Sequence, residues 1–410
     1  MNILIVNQPL RNRGDESAHR ALIRSMLQAI PDAHICVLYY CEKADAVNQF
    51  VVKNERVKYV IEFNPYQHQL LAFDFLRKGL ENSLFWLHPY VYKYLRHYRW
   101  ADVVVCAPGG ICMGGFMDSW HEEQLLIAMK LRKPIFYYGR SIGPFWDEPK
   151  EKKVFKQQAI RILNYASYVS LRDATSIKIA KDLGIDNVIE TTDTAFLDYP
   201  QVEIPEEILR EIDRKEYVVF VPNSLVWHYF YRGKATGGEV VTYWSKVASV
   251  IAKHYPNHKI VMLPQTSLQG KALDDKYLFQ DIQKHCPGLD IFVSDDIYSS
   301  DIQQQIIRGA DVVFGARYHS IVFAINNNVP FVSFSYEHKM SGLLDEIGLQ
   351  DEMIDITQLF TSEGVDKSIL EQLDELIPQI YRSAEGRIMA KEKAERAFLQ
   401  FVNHISMLQR

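Results

Sequence analysis

The chain has 410 residues, more than one compact domain usually contains, so we expect two domains with separate cores. Its composition, 48% hydrophobic and 24% charged, is typical of a globular protein in water. The formal net charge of -5 provides no overall attraction to nucleic acid, which argues against a nucleic-acid partner. The five cysteines form no CxxC pair, which indicates reduced thiols.

Short apolar runs alternate with helical patterns along the chain, which predicts buried parallel strands joined by helices. In the first half, strands are predicted at 2–7, 34–40, 57–63, 102–107, 134–139, 168–173 and 187–193. A second series is predicted at 217–223, 259–264, 290–294, 311–316 and 330–335. The charged, proline-bearing region 198–215 between them predicts a linker with one short helix.

This order of elements predicts an α/β protein with two Rossmann-like, doubly wound domains that face a cleft. The predicted parts are an N-terminal domain, a linker, a C-terminal domain and a closing helical segment, at 1–197, 198–215, 216–365 and 366–410. Ligands of such sheets bind beyond the carboxyl ends of the strands, so functional residues are expected there.

The segment 85–100, FWLHPYVYKYLRHYRW, combines aromatic rings with several basic side chains. We interpret it first as an aromatic helix packed at the edge of a sheet, and contact with a membrane interface is the alternative. The amino terminus reaches charged residues too early for a signal peptide, and no apolar stretch approaches the roughly 20 residues that span a bilayer. We therefore expect a cytoplasmic protein, with the inner face of the membrane as the surface that 85–100 would contact.

Polar and glycine residues follow the first and fourth predicted strands. Gly14 permits a tight turn, and Asp15 and Glu16 begin a helix, where they can orient the hydroxyls of a ligand or simply stabilise the helix end. Gly109 and Gly110 open a glycine-rich loop in which the backbone can approach a ligand or an anion closely. This loop matches no nucleotide-binding fingerprint.

Arginines stand at the ends of the fifth and sixth predicted strands. Arg140 and Ser141 stand in GRSIGP, where a glycine and a proline fix the turn. Arg172 is followed directly by Asp173, and since buried charges are usually paired, we predict that these two residues lock a loop.

The strongest signal is FGARYHS at 314–320, which places Arg317 and His319 between a buried strand and a helix. The first turn of a helix has unpaired N–H groups and a partial positive charge, so this junction predicts an anion site. The next strand ends in SYEHK, which adds His338 and Lys339 at the same edge. We predict a small, doubly charged anion and no metal, because the two histidines lack a third ligand and the cations beside them would repel a metal ion.

Seven motifs occur together in the order GDES, APGG, GRSIGP, LRD with Ser176, TTDTAF, GARYHS and SYEHK, and with them the chain resembles the polysaccharide pyruvyl transferases over about residues 1–350. The resemblance implies a GT-B-like fold and transfer of pyruvate from phosphoenolpyruvate (PEP) onto two sugar hydroxyls as a cyclic ketal. No cofactor is implied beyond this donor substrate. Arg317 and His319 would be the RxH motif of the family, and Tyr336 and Lys339 its following tyrosine and lysine.

This chemistry needs an acid, a base and fixed cations, because C3 of PEP must be protonated before a hydroxyl attacks C2. We expect Arg317 and Lys339 to hold phosphate or carboxylate, His319 or His338 to be the acid, and Asp15 or Glu16 to be the base. The C-terminal domain would be the donor side and the N-terminal domain the acceptor side. The other predicted substrate contacts are Gly14, Gly109, Gly110, Arg140, Ser141, Ser320 and Tyr336.

Two other functions stay open at this point. A glycosyltransferase that uses a nucleotide sugar would share the two-domain architecture. A carbohydrate-binding protein would keep the fold without turnover, although the retained Arg317, His319 and Lys339 argue against it. The identity of the acceptor sugar, and whether a lipid carries it, are open as well.

Overall fold

The computed structural model describes residues 1–8, 11–39, 50–60, 89–110, 112–115, 117–212, 216–228, 231–267, 273–361, 364–366, 368–381 and 384–408. The chain forms two compact units. The first unit contains 1–10, 15–198 and 391–410, and the second contains 11–14 and 199–390.

The first unit is built on a parallel seven-stranded sheet of order β3-β2-β1-β4-β5-β6-β7. Its strands are β1 Asn2–Gln8, β2 His34–Tyr39, β3 Val57–Val60, β4 Val103–Cys106, β5 Ile135–Arg140, β6 Tyr168–Leu171 and β7 Val188–Glu190. All seven predicted strands are present, because an apolar run marks a parallel strand that is covered on both faces. Of the predicted strand positions, 40 and 61–63 lie outside the described residues. The strand order reverses between β1 and β4.

Helices connect these strands. They are α1 Arg13–Ala29, α2 Pro89–Trp100, α3 Ser119–Lys130, α4 Lys150–Tyr165 and α5 Ala174–Asp182, with a 3-10 turn at Thr194–Leu197. Helix α2 covers the described part of the aromatic segment 85–100, and residues 85–88 lie outside the described residues. Within the described part of the chain, no helix is long and apolar enough to cross a membrane.

Arg172 and Asp173 both make structural contacts, as expected of residues that lock a loop. The carboxylate of Asp173 accepts the backbone N–H of Ser176 at 2.7 Å and caps the start of α5. Arg172 forms a buried ion pair with Asp193, which lies just before the 3-10 turn. The N–H groups in the first turn of a helix lack partners within the helix, and an aspartate directly before the helix, here Asp173, can accept one of them.

The second unit is built on a parallel six-stranded sheet of order β10-β9-β8-β11-β12-β13, which reverses between β8 and β11. Its strands are β8 Tyr217–Val221, β9 Lys259–Met262, β10 Ile291–Val293, β11 Val313–Gly315, β12 Phe331–Ser335 and β13 Met353–Asp355, and a separate hairpin pairs β14 Phe360–Thr361 with β15 Gly364–Val365. The five predicted strands of this series are present. The sixth, β13, was not predicted.

The helices after β7 begin with α6 Glu206–Ile212, which is the short helix predicted within 198–215. The others are α7 Gly237–His254, α8 Asp275–His285, α9 Ser300–Arg308, α10 Tyr318–Asn326, α11 His338–Glu346, α12 Ser368–Leu376 and α13 Ala384–Met407, with 3-10 turns at Gln350–Glu352 and Ile377–Gln379. The fully buried ring of Trp244 on α7 packs against Phe220 and Phe334 of the second sheet, with ring centroids 5.9 and 5.3 Å apart.

The predicted closing segment, 366–410, is divided between the two units. Helix α12 belongs to the second unit, whereas α13 from Lys391 onward belongs to the first. The buried ring of Phe401 on α13 lies 5.5 Å from that of Phe136 and 4.7 Å from that of Tyr138, both on β5. These contacts attach the end of the chain to the first sheet.

We expect Phe401→Ala to lower the free energy of unfolding by about 3–5 kcal/mol, because it leaves a cavity among buried aromatic rings. Chemical denaturation measures this loss. Leu399 on the same helix is 62% exposed, so Leu399→Ala is the matched control and should change stability by less than about 0.5 kcal/mol. Equal losses in the two variants would contradict this packing.

Candidate active site

The candidate residues of the second unit follow two neighbouring strands, β11 and β12, on one side of the point where its sheet reverses. Arg317 follows β11 and directly precedes α10, and Glu337 follows the neighbouring β12 and directly precedes α11. Neither of these two side chains accepts a backbone N–H of the helix that follows it. Two helix N-termini at adjacent strand ends therefore give this edge the donors and partial positive charge that anions bind.

Arg317 is held by a buried carboxylate. Its Nη2 donates to Oδ1 of Asp275, the first residue of α8. The other oxygen, Oδ2, accepts the backbone N–H groups of Gln265 at 3.0 Å and Thr266 at 2.9 Å. Burial raises the pKa of the Asp275 carboxyl, and the charge of Arg317 opposes that rise. The buried Nε of Arg317 has no hydrogen-bond partner among the described residues, so part of the guanidinium remains available to a ligand.

Lys339 is held in the same way. Its Nζ lies 2.8 Å from Oε2 of Glu337, and Oε1 of that carboxylate lies 2.9 Å from Nε2 of His228. Glu337 and His228 are both buried. Burial alone would raise the pKa of Glu337, but Lys339 and His228 together hold it at about 2. The carboxylate is therefore ionised and fixes the position of both basic neighbours.

His319 lies in the first turn of α10 and is 6% exposed. The segment 11–14, which belongs to the second unit, packs against it. A Cβ on Gly14 would fall 1.7 Å from Nδ1 of His319, so only glycine fits there. Two hydrogen bonds fix the backbone of this segment. Arg13 N donates to the backbone oxygen of Gln265 at 2.8 Å, and Gly14 N donates to the side-chain oxygen of Asn12 at 2.8 Å.

The other predicted residues of this unit have varied surroundings. Tyr336 is buried with its ring 5.2 Å from that of His228, and burial raises the pKa of its hydroxyl. His338 begins α11 and is partly exposed. Ser320 donates to the carbonyl oxygen of Arg317 at 2.6 Å, so its hydroxyl stabilises the turn that carries the arginine. Contact of each of these three residues with substrate stays a prediction.

In the first unit, the candidate residues also gather where the sheet reverses, after β1, β4 and β5. Arg140, at the end of β5, is fully buried and donates to the carbonyl of Ala107 and to Sγ of Cys112, the latter at 3.1 Å. A Cβ on Gly109 would lie 3.1 Å from Oδ1 of Asp15 and 3.3 Å from Nη2 of Arg140. The glycine thus allows the carboxylate and the guanidinium to approach one loop. A Cβ on the neighbouring Gly110 would meet no atom within 4 Å.

Two predicted site residues of this unit already contact other side chains of the protein. Glu16 is fully buried in α1 and pairs with Arg20 at 3.1 Å, and Ser141 is buried and accepts from Arg172 Nε at 3.1 Å. Of the acidic pair Asp15 and Glu16, only Asp15 is partly exposed. Asp15 is therefore the better placed of the two to meet a ligand.

Asp275 and His228 are two residues of this edge that the sequence patterns did not indicate. His228 lies in the loop after β8, which adjoins the reversal point, and Asp275 starts a helix beyond the end of β9, the next strand of the sheet. A polar residue beyond such a strand end is the signal that could have indicated them. The sequence does not indicate which cation each would hold.

Solved structures with this fold include nucleotide-sugar epimerases and a transferase. The UDP-GlcNAc 2-epimerase of Methanocaldococcus jannaschii matches with a TM-score of 0.59 at 11% identity, over 98% of this chain and 100% of that chain. The UDP-GlcNAc 2-epimerase of Neisseria meningitidis bound to UDP-GlcNAc matches with 0.58 at 12% identity, over 99% and 100%. A ugt transferase of Siraitia grosvenorii in complex with UDP matches with 0.57 at 12% identity, over 100% of both chains. The predicted α/β, GT-B-like fold is confirmed.

The sequence itself identifies the family. The family model "Polysaccharide pyruvyl transferase" matches residues 12–338. The amylovoran biosynthesis protein AmsJ of Erwinia amylovora is 23% identical over 411 residues, which cover 94% of this chain and 96% of that protein. The chain belongs to the polysaccharide pyruvyl transferase family and is a transferase of polysaccharide synthesis.

We expect Gly14→Ala to disturb His319, because the added methyl group would overlap the imidazole ring. Overpacking of this kind costs about 1–3 kcal/mol, which thermal or chemical unfolding measures. Gly238→Ala is the control, since a Cβ there meets no atom within 4 Å. If Gly14→Ala is as stable as the control and leaves the His319 ring resonances in an NMR spectrum unchanged, the close packing of these residues is refuted.

Proposed function

We propose that the protein transfers pyruvate from PEP onto two hydroxyls of a sugar in a polysaccharide precursor, forms a cyclic ketal and releases phosphate. Membership of the family and the similarity to an amylovoran biosynthesis protein support pyruvyl transfer in polysaccharide synthesis. The observation that carries the choice of donor is Arg317, fixed by Asp275 at the start of α10 with its Nε buried and unpartnered among the described residues. This is a site for a small anion.

PEP suits the donors at this edge of the second sheet. Its phosphate and carboxylate are both anionic and offer several acceptor oxygens, which match a guanidinium, an ammonium and the N–H groups of two helix N-termini. In the proposal, Arg317 and Lys339 each contact one of the two anionic groups. The ring of Tyr336 lies beside that of His228. In the proposal, the hydroxyl of Tyr336 contacts the same ligand as the two cations.

The reaction proceeds in two additions. An acid protonates C3 of PEP, and C2 becomes oxocarbenium-like, so that the first sugar hydroxyl bonds to C2 as its proton is removed. The C2–O bond to phosphate then breaks, phosphate leaves with its electron pair, and the second hydroxyl bonds to C2 as it loses its proton. One proton goes to C3 and one is left for the departing phosphate, so atoms and charge balance.

We assign the acid to His319 rather than His338. His319 is two residues from Arg317 in the first turn of the same helix and is almost fully buried, whereas His338 is partly exposed. A histidine can give and retake a proton near neutral pH, as alternating steps require. Asp15, the partly exposed carboxylate after β1, is proposed to accept the proton of a sugar hydroxyl.

Thermal unfolding with PEP tests the donor. A ligand that binds the native state raises the unfolding midpoint, and we expect PEP to do so in the wild type but not in Arg317→Ala. Arg210, an exposed arginine of the same unit, provides the control, and Arg210→Ala should keep the full shift. Loss of the shift in Asp275→Asn as well would indicate that the carboxylate positions the arginine.

A panel of nucleotide sugars in the same assay tests the second enzyme class. The solved structures of similar fold that hold UDP or UDP-GlcNAc make this comparison necessary. Stabilisation by a nucleotide sugar and none by PEP would refute pyruvyl transfer and favour a glycosyltransferase.

Substitution of each histidine tests the acid. With an acceptor found by screening sugars, we expect His319→Gln to lower phosphate release from PEP by about 10²–10⁴-fold, the usual contribution of general acid catalysis. The PEP-dependent rise in unfolding midpoint should persist, because the cations remain. His338→Gln is the matched control and should keep activity within about tenfold of the wild type. The opposite pattern would assign the acid to His338.

A further inference from the structure

A cavity of about 460 Å³ opens at the amino-terminal edge of the first sheet, opposite to the edge that carries the candidate active-site residues of that unit. Volumes of roughly 300–1,000 Å³ are usual for small-molecule sites. Five of the nine lining residues are basic: His34, Arg56, Lys58, Arg96 and His97. Glu55 is the one acidic residue among them. In a protein with a formal net charge of -5, this is a local concentration of positive charge.

The sheet register explains why these residues share one cavity. Cys36 on β2 pairs with Lys58 on β3, so the two side chains lie on the same face. That face is covered by α2, because Sγ of Cys36 lies 3.8 Å from Nδ1 of His97. His34 stands two residues before Cys36 and therefore points to the same side. Helix α2 ends at Trp100, just before β4, which places its last turn at the amino-terminal edge.

The two arginines that line the cavity are held in place by hydrogen bonds. Arg96 Nε donates to Nε2 of His97 at 3.2 Å. Arg56 donates to the carbonyl of Leu27 at 3.0 Å and to that of Pro31. Arg56 thus stabilises the end of α1 by donating to carbonyl groups there, and these bonds fix the position of its positive charge. The two arginines are therefore restrained before any ligand arrives, whereas Lys58 is exposed.

The end of a helix carries a partial negative charge, which would repel an anion from the last turn of α2. Lys133 offsets it. Its Nζ donates to the carbonyl of Ala101 at 2.7 Å and to that of Arg99 at 3.4 Å. The electrostatic field in the cavity is therefore set by the basic side chains.

Aromatic rings on the same helix indicate where the ligand comes from. Tyr92 is 60% exposed and Trp100, which lines the cavity, is 40% exposed. Arg99 lies over the Tyr92 ring at 5.8 Å from its centroid. Exposed tyrosine and tryptophan beside basic residues are typical of helices at a lipid headgroup layer.

We propose that this cavity binds the phosphate group of an anionic ligand, and that the ligand is a glycerophospholipid headgroup at a membrane surface. Arginine and lysine are the side chains that bind phosphate, and the volume leaves room for the glycerol portion. The proposal stands on the cavity alone and does not depend on which donor the active site uses.

Sedimentation with vesicles tests the source and the site together. We expect the wild type to sediment with vesicles of phosphatidylcholine and phosphatidylglycerol and to remain in the supernatant with phosphatidylcholine alone. The double variant Lys58→Glu, Arg96→Glu should weaken this association by at least about tenfold. The control, Lys53→Glu with Arg161→Glu, changes two exposed residues of the same unit that lie outside the cavity and has the same net charge. It should sediment like the wild type.

The second arm of the test uses soluble glycerol 3-phosphate. Its binding is measured as a rise in the unfolding midpoint of the wild type and of the two double variants. A rise that is lost only in the cavity variant, without vesicle association, would support a phosphate site that takes a soluble ligand and would overturn the lipid assignment. Vesicle association that both double variants lose equally would overturn the cavity as the site. No response in either arm by the wild type, with its PEP response intact, would overturn the proposal and leave the proposed function unaffected.

Discussion

The buried ion pair between Arg317 and Asp275 is the interaction on which the candidate site of the second unit depends. A buried guanidinium without a counter-charge would be strongly disfavoured, and removing one partner of such a pair usually costs about 3–5 kcal/mol. The carboxylate is itself fixed by two backbone N–H groups from the loop after β9. The arginine is therefore positioned by the sheet, through one aspartate, before a ligand binds.

The same arrangement occurs at the next strand, where Glu337 holds Lys339 and His228. Two cations and two carboxylates leave the two pairs formally neutral. An anion at this edge is then attracted less by net charge than by directed donors and by two helix N-termini, each equivalent to roughly half a positive charge. Such a site is preorganised, because its donors need no rearrangement when negative charge arrives or develops.

Much of the fold is predictable because parallel strands covered on both faces appear in the sequence as apolar runs. β13 is not predictable in this way, since it is a three-residue edge strand with only one buried residue.

The site is predictable only in part. Arg317 and His319 stand next to a strand end, where sequence alone indicates function, but Asp275 lies 42 residues from its partner. Their contact follows from β9 and β11 both flanking β8, a tertiary fact. Asp193, which forms a buried ion pair with Arg172, lies 21 residues further along the chain, and the sequence does not indicate this contact either.

Neutralised cations also suit the turnover that we propose. In the proposed reaction phosphate is a product and would bind to the same donors as the phosphate of PEP, so a strongly positive site would retain it. Binding that is equal for substrate, product and transition state does not accelerate a reaction. A carboxylate beside each cation weakens the general attraction for phosphate while leaving the donors in place. Tighter binding of the transition state than of substrate or product then depends on where these donors lie relative to the charge that develops as the C2–O bond to phosphate breaks. On this view Asp275 and Glu337 serve catalysis by limiting affinity as well as by orienting Arg317 and Lys339.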